Sequence, residues 1–470
     1  MMTYTNRARR VTGGVIALGV FILGGCDELL EPQQPGIITP EAIAAAGATG
    51  AQALYVGALG ALQGWSGGGG NINSQNIWIY SDLLTDVWKT SDTFTQRINM
   101  DRRNVETNDA EVSGRYSSAT QSRGFNRDAI NSLREFLPEE TEKQAHMYFA
   151  LGYTEMNLSE VFCNGIPFGE TVDGVVTYTE PLTNQQGFAL ALTHLDSAIA
   201  LTSDEDNDLA ERVQNAARIA RARTLVNMGE FAEAAAEVAG IPTEFQELIT
   251  FSEPTQSNTI WTTNANNPSS TRQVVGDSVA LVNGVDSLIR NAIPFASAND
   301  PRVPVTGSYD DNSRTGFDGS TPYVGQLIWT NREDPIVLAS GIDARLIEAE
   351  AELQADDIAG MMAILNTLRT SAQTLGHFDV PAMAALPIPT TEDAAIDIFF
   401  REKAFWQFAR GMRLGDLRRL MRQYGRAEEN VFPEGGFHKT PFAFGNDVNL
   451  PVPDIEKTNP LFTGCLDRDP

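Results

Sequence analysis

The sequence predicts a mostly α-helical protein built of paired helices and interrupted by a large loop-rich insertion. Three observations predict it. Apolar residues recur at helical spacing in six segments, 127–136, 142–161, 185–201, 209–238, 343–373 and 391–424, and few strand patterns compete with them. Two stretches far apart in the chain share one helix–turn–helix pattern. Between about 241 and 342 the composition shifts to Pro, Asn, Ser, Thr, Gly and Asp, with Trp261 and Trp329 interspersed. A stretch of that length reads as an ordered functional insertion rather than a linker.

In chain order, the N-terminus comes first. Arg7, Arg9 and Arg10 form a basic region, and 11–23 is an uncharged apolar run that ends in Leu23-Gly24-Gly25-Cys26. That run has the length of a signal-peptide core and is too short to span a bilayer, which takes ~20 residues. Small residues before a cysteine resemble the lipobox of bacterial lipoproteins. Residues 1–25 are therefore expected to be a signal peptide, Cys26 to carry a lipid, and 26–40 to be a tether. In the tether, Pro32, Pro35 and Pro40 among Gln and Gly keep the chain extended. Residues 41–470 follow as a single domain.

Thr39-Pro40-Glu41 is a helix start, and an alanine-rich helix runs from there to about Leu62. A Gly/Asn loop with Trp65 follows at 64–76, then an apolar run, 77–88, with Trp78, Tyr80 and Trp88. Residues 172–179 and 327–337 read as short strands or extended loops. The paired segments are Ala222…Gly229-Glu-Phe231…Ala234 and Ala349…Asp356-Asp-Ile358…Met361. Each is a helix, a tight polar turn, a large apolar plug and a second helix, and resembles the tetratricopeptide helical hairpin without its 34-residue periodicity.

Charge excludes some functions. The formal charge of −27 becomes −30 once the three arginines of residues 1–25 are removed, which argues against a nucleic-acid partner. The spare cysteines, Cys163 and Cys465, have no second ligand at metal spacing. In an oxidising compartment they are expected to pair. His146, His194, His377 and His438 stand singly, so neither a metal nor a cofactor is expected. Gly64-Trp65-Ser66-Gly67-Gly68 matches G-x-S-x-G but lacks the strand that a nucleophile elbow needs before it. Asp204–Asp208 looks like the start of a calcium loop. Leu209 and Asn215 stand where that loop needs glycine and glutamate, so the segment reads as an acidic loop capping the next helix.

The C-terminal third is the most specific part. It holds Arg345 through Arg369, then Glu402…Gly411-Met-Arg413…Asp416-Leu417-Arg418, then Leu450-Pro-Val-Pro453…Glu456…Asn459-Pro460. With Cys26-Asp27-Glu28 and Pro35-Gly36 near the N-terminus, this resembles the signature of the SusD/RagB family. Phe405–Arg410 departs from it, where the family more often has a second glutamate before the glycine. The resemblance implies tetratricopeptide-like hairpins packing a variable ligand-binding part. It also implies a non-enzymatic nutrient-capturing lipoprotein of the outer membrane, cell-surface facing, that binds glycans or peptides and partners a TonB-dependent, SusC-like transporter. A helical-repeat scaffold of envelope assembly and a surface hydrolase are the alternatives. Arg413, Asp416 and Arg418 read as packing residues that form ion pairs. Candidate ligand contacts are Trp65, Trp78, Trp88, Trp261 and Trp329, because an indole offers a flat platform to a sugar ring. Trp65 leads them because its glycine flanks cannot build a core. Trp406, within an amphipathic helix, is assigned to the core.

Overall fold

The computed structural model describes residues 45–69, 76–172, 175–252, 255–264, 267–282, 285–311 and 313–470. Residues 1–25 and 26–40, expected to be a signal peptide and a tether, lie outside the described residues, Cys26 with them. Among those described, thirteen helices dominate. They are α1 (Ala48–Trp65), α2 (Ile77–Leu83), α3 (Thr95–Asp101), α4 (Ala110–Phe136), α5 (Thr141–Val161), α6 (Asn184–Thr202), α7 (Asp208–Met228), α8 (Phe231–Val238), α9 (Thr259–Thr263), α10 (Gly341–Gln354), α11 (Ile358–Thr370), α12 (Glu392–Trp406) and α13 (Arg413–Arg422).

Local chemistry sets their starts. Asp109, Asn207 and Thr391 accept backbone N–H groups at the N-termini of α4, α7 and α12. Thr183 with Gln186 and Ser340 with Asp343 close capping boxes on α6 and α10. The segment 204–208 is the α6–α7 turn, and its Asn207 caps α7 through the Ala210 N–H (3.0 Å). Three periodic segments are each broken by left-handed backbone, two of them at the expected polar turns and the third, 391–424, at a break the spacing does not show. Gly229 (φ 89°) ends α7, Asp356 (φ 62°) separates α10 from α11, and Ala409 (φ 59°) and Gly411 (φ 67°) separate α12 from α13.

Helix α5 is the hub. It is buried almost all round and packs against α1, α4, α6 and α7, as a helix without a polar face must. Gly152 lets α6 come close, since a β-carbon there would meet Leu195 Cγ at 2.7 Å. The hairpins α7/α8 and α10/α11 are neighbours because α8 packs on α10. The 127 residues that separate the two related sequences therefore do not separate them in space. The chain leaves the helical body through strand Gln246–Ile249 and returns through Ile336–Ser340, and these two pair antiparallel.

Between them lie short strands that are tied to distant parts of the chain. Ser257–Asn258 pairs with Gly68–Gly69, and Gln273–Val275 with Trp88–Thr90. The hairpin Val279–Val282/Val285–Arg290 gains Glu434–Gly435 as a third strand. Residues 170–172 and 175–177 form an exposed hairpin. Ala46–Pro470 packs as one unit, and Val274, Phe295, Val303 and Val324 join the same apolar core as α5, α10 and α12.

Candidate functional site

Sequence-highlighted residues fall first into the interior. Trp65, Trp78 and Trp88 are each 1% exposed. Trp65 ends α1 and lies 6.2 Å from the Tyr153 ring of α5. Its glycine flank is roofed by residues from far along the chain. A β-carbon on Gly67 would meet Ile336 at 2.9 Å, with Ile249 and Phe251 close behind. The expectation that Trp65 faces a ligand is thus corrected: glycines let the return strands close over it. Trp78 lies against Gly411 and Trp88 against Phe408, so both are core, as is Trp406. Trp329 is buried and anchors its own loop by donating to the Pro335 carbonyl (3.1 Å). Trp261, on α9, is the half-buried one, with the Arg332 guanidinium 5.0 Å from its ring.

The motif residues of the C-terminal third are also internal. Arg413 pairs with Asp86, while Asp416 takes Lys403 (2.8 Å) and Arg419 (2.7 Å). Glu402 receives Arg302 (2.7 Å) and Arg369 (2.8 Å). Arg418 departs from the ion-pair reading. Its guanidinium donates to the carbonyls of Glu160 (2.6 Å) and Phe162 (3.1 Å), closing the C-terminus of α5. Cys163, just after α5, is bonded to Cys465 with their Cα atoms 6.0 Å apart, which ties the tail to that same helix end.

Catalytic constellations are not assembled from the motifs. The Ser66 hydroxyl is buried and donates to Leu62 O (2.6 Å). Among the described residues no group of three or more His, Cys, Asp or Glu side chains is placed to hold a metal. Each histidine has a partner: Tyr55 for His146, Glu155 for His194, Ile328 O for His377 and Thr90 O for His438. A cavity between α5, α7, α10, α12 and α13 is lined by Glu160, Arg223, Asp343, Lys403, Asp416 and Arg419 and has a volume of about 30 Å³. That is room for a water, whereas small-molecule pockets run to ~300 Å³ and more.

An outward-facing candidate lies instead where the loops meet the α2–α3 region. Phe94 and Phe317 are 41% and 40% exposed, unusually open for phenylalanine. They share one guanidinium. Arg272 lies 3.3 Å from the centre of the Phe317 ring and 5.7 Å from that of Phe94. Arg97 sits 4.8 Å from the Phe94 ring. Buried Asp92 holds both cations, accepting from Arg272 (2.9 Å) and Arg97 (2.5 Å), and also accepts the Thr93 N–H (2.7 Å). Glu111 of α4 adds a second carboxylate beside Arg97 (3.4 Å).

Backbone bonds fix the loops that carry the rings. Phe317 N–H donates to Thr271 O, Asp318 N–H to Ser91 O and Arg272 N–H to Thr263 O, at the end of the helix that bears Trp261. Lys439 pairs with Asp318. Burial works against the charge on Asp318, but Lys439 and Thr321 outweigh it and hold its carboxyl down at about 2. Two partly exposed rings that share one guanidinium, on loops tied together by backbone hydrogen bonds, offer apolar surface of the kind that suits the apolar face of a sugar ring. The sequence reading missed Phe94 and Phe317. The signal was present: each is a lone aromatic in a polar segment, Ser91-Asp-Thr-Phe94-Thr and Arg314-Thr-Gly-Phe317-Asp-Gly.

Solved structures share this architecture. A SusD-like carbohydrate binding protein from Bacteroides fragilis superposes with a TM-score of 0.61 at 13% identity, covering 88% of this chain and 99% of its own. The fold is SusD-like. A SusD-like carbohydrate binding protein from Bacteroides vulgatus gives 0.59 at 11% identity, with 88% and 97% covered. A SusD superfamily protein from the same species gives 0.58 at 13%, with 89% and 98% covered. No protein-family model and no curated protein matches the sequence. The SusD-like fold is therefore established by backbone geometry over most of the chain.

Proposed function

We propose that this protein is a glycan-binding lipoprotein that captures its ligand on the platform formed by Phe94, Phe317 and Arg272. The observation that carries the proposal is the exposure of two phenylalanine rings that share the Arg272 guanidinium on a SusD-like fold. Solved neighbours described as carbohydrate binding support the ligand class. The lipobox-like Leu23-Gly24-Gly25-Cys26 supports attachment through a lipid on Cys26, and the acidic pair after it supports a cell-surface position on the outer membrane. In this reading the bound glycan passes to a TonB-dependent, SusC-like transporter, and the protein turns nothing over itself.

The test is affinity electrophoresis and calorimetry on the soluble form lacking residues 1–26, against a polysaccharide panel. Phe94→Ala and Phe317→Ala should each weaken binding by about 1–3 kcal/mol, roughly 5- to 150-fold, while leaving the melting midpoint within a degree or two. Trp65→Ala should do the reverse, lowering the midpoint through a core loss of about 3–5 kcal/mol. Loss of binding with Trp65→Ala at an unchanged midpoint, or full binding by the Phe94/Phe317 double variant, would remove the platform from the account. Release of reducing ends from a bound glycan by the purified protein would overturn the non-enzymatic reading.

A further inference from the structure

The platform has a charge state as well as a shape, and that bears on which glycans it takes. Its two guanidiniums are matched by two carboxylates: Asp92 bridges Arg97 and Arg272, and Glu111 lies beside Arg97. Both cations lie against ring faces, with Arg97 fully buried and Arg272 nearly so. The neighbouring Lys439 is taken by Asp318. Arg314, exposed three residues before Phe317, stacks on the Tyr323 ring (4.6 Å). Arg97, Arg272 and Lys439, the cations at the two rings and beside them, are thus each paired with a carboxylate, and the whole chain carries −27.

A carboxylate or sulfate ester brought to this surface would need a cation already committed to an acid, and would approach against the field of an acidic protein. A neutral ring loses nothing by either. Both ring centres are measured to the same guanidinium carbon, so they lie within about 9 Å of each other, a span for one or two sugar units. We infer that the platform selects neutral glycan segments and rejects uronate-bearing or sulfated ones. This rests on the glycan-binding reading above.

The experiment runs native electrophoresis of the soluble form through gels containing neutral polysaccharides (starch, xylan, galactomannan, β-glucan) or acidic ones (polygalacturonate, alginate, chondroitin sulfate), at 20 and 200 mM NaCl. The Phe94→Ala/Phe317→Ala variant runs alongside, with its melting midpoint recorded. The expected result is retardation by at least one neutral polymer, unchanged by salt and lost in the double variant, with no retardation by the acidic set. Retardation by an acidic polymer that the double variant loses overturns the inference and leaves glycan binding standing. Retardation by no polymer, or retardation that the double variant keeps, overturns both.

Discussion

Gly229 and Asp356 occupy the same place in two helical hairpins and solve the same problem with different residues. Both are left-handed, and in both the following N–H reaches five residues back: Glu230 to Leu225 O (2.9 Å) and Asp357 to Glu352 O (2.9 Å). This is the helix-terminating pattern that favours glycine. At Gly229 a β-carbon would meet nothing, so only the backbone penalises a substitution. Gly229→Ala is expected to lower stability by about 1 kcal/mol, and Asp356→Gly to raise it by about 0.5–1 kcal/mol, because exposed Asp356 relinquishes its strain. Urea titration of both variants checks the opposite signs.

At the same scale, Glu247 carries a pH dependence. Burial, partly offset by Arg212, pushes its carboxyl up to about 7 from an ordinary 4.5. A raised acid means that the folded state holds the proton more tightly. The group therefore costs stability above pH 7, and that cost disappears as pH falls from about 7 towards 4.5. Glu247→Gln should accordingly be more stable than the parent at pH 8, by on the order of 2–3 kcal/mol, and the gap should close by pH 5. A gap of constant size across that range would assign the effect to packing.

Among the elements, α5 concentrates the constraints. Its flanks meet four helices, its C-terminus is closed by Arg418, and the disulfide of Cys163 begins two residues beyond its end. The Arg418 guanidinium is a positive charge at the negative end of a helix dipole and satisfies carbonyls that have no water to turn to. Arg418→Met keeps most of the volume and removes the donors. A loss of about 3 kcal/mol is expected from the orphaned buried acceptors, read as a lower urea midpoint. Lysine at the same position should restore part of it, since one ammonium can reach fewer carbonyls than the planar fork.

For the whole molecule, the segment 241–342 tests how far an insertion can be part of a core. Its ends meet as a strand pair, which is the geometry of a removable excursion. Its interior argues otherwise: it supplies strand partners to 68–69, 88–90 and 434–435, and Arg302 to Glu402. A variant joining Gly240 to Ile342 is expected to lose cooperative thermal unfolding by circular dichroism, because the core loses Val274, Phe295, Val303 and Val324 together.

What the sequence by itself determined was periodic and local. Helical spacing located the main helices and both hairpins, and the polar turns at Gly229 and Asp356 marked where two of them fold back. The C-terminal signature pointed to the architecture that the SusD-like neighbours share. Shifts between periods stayed hidden: α3 and the first half of α4 were not legible, since 110–126 is rich in Ser, Thr and Arg and carries a weak apolar stripe. Burial was decided only in three dimensions. Trp65 sits among glycines and still lies in the core, because strands from residues 249 and 336 close over it. Phe94 and Phe317 are 223 residues apart and become one surface through a single arginine held by one aspartate. Sequence spacing reports which side of its own element a residue takes. Which distant segment arrives to cover that side depends on pairings that no local pattern encodes.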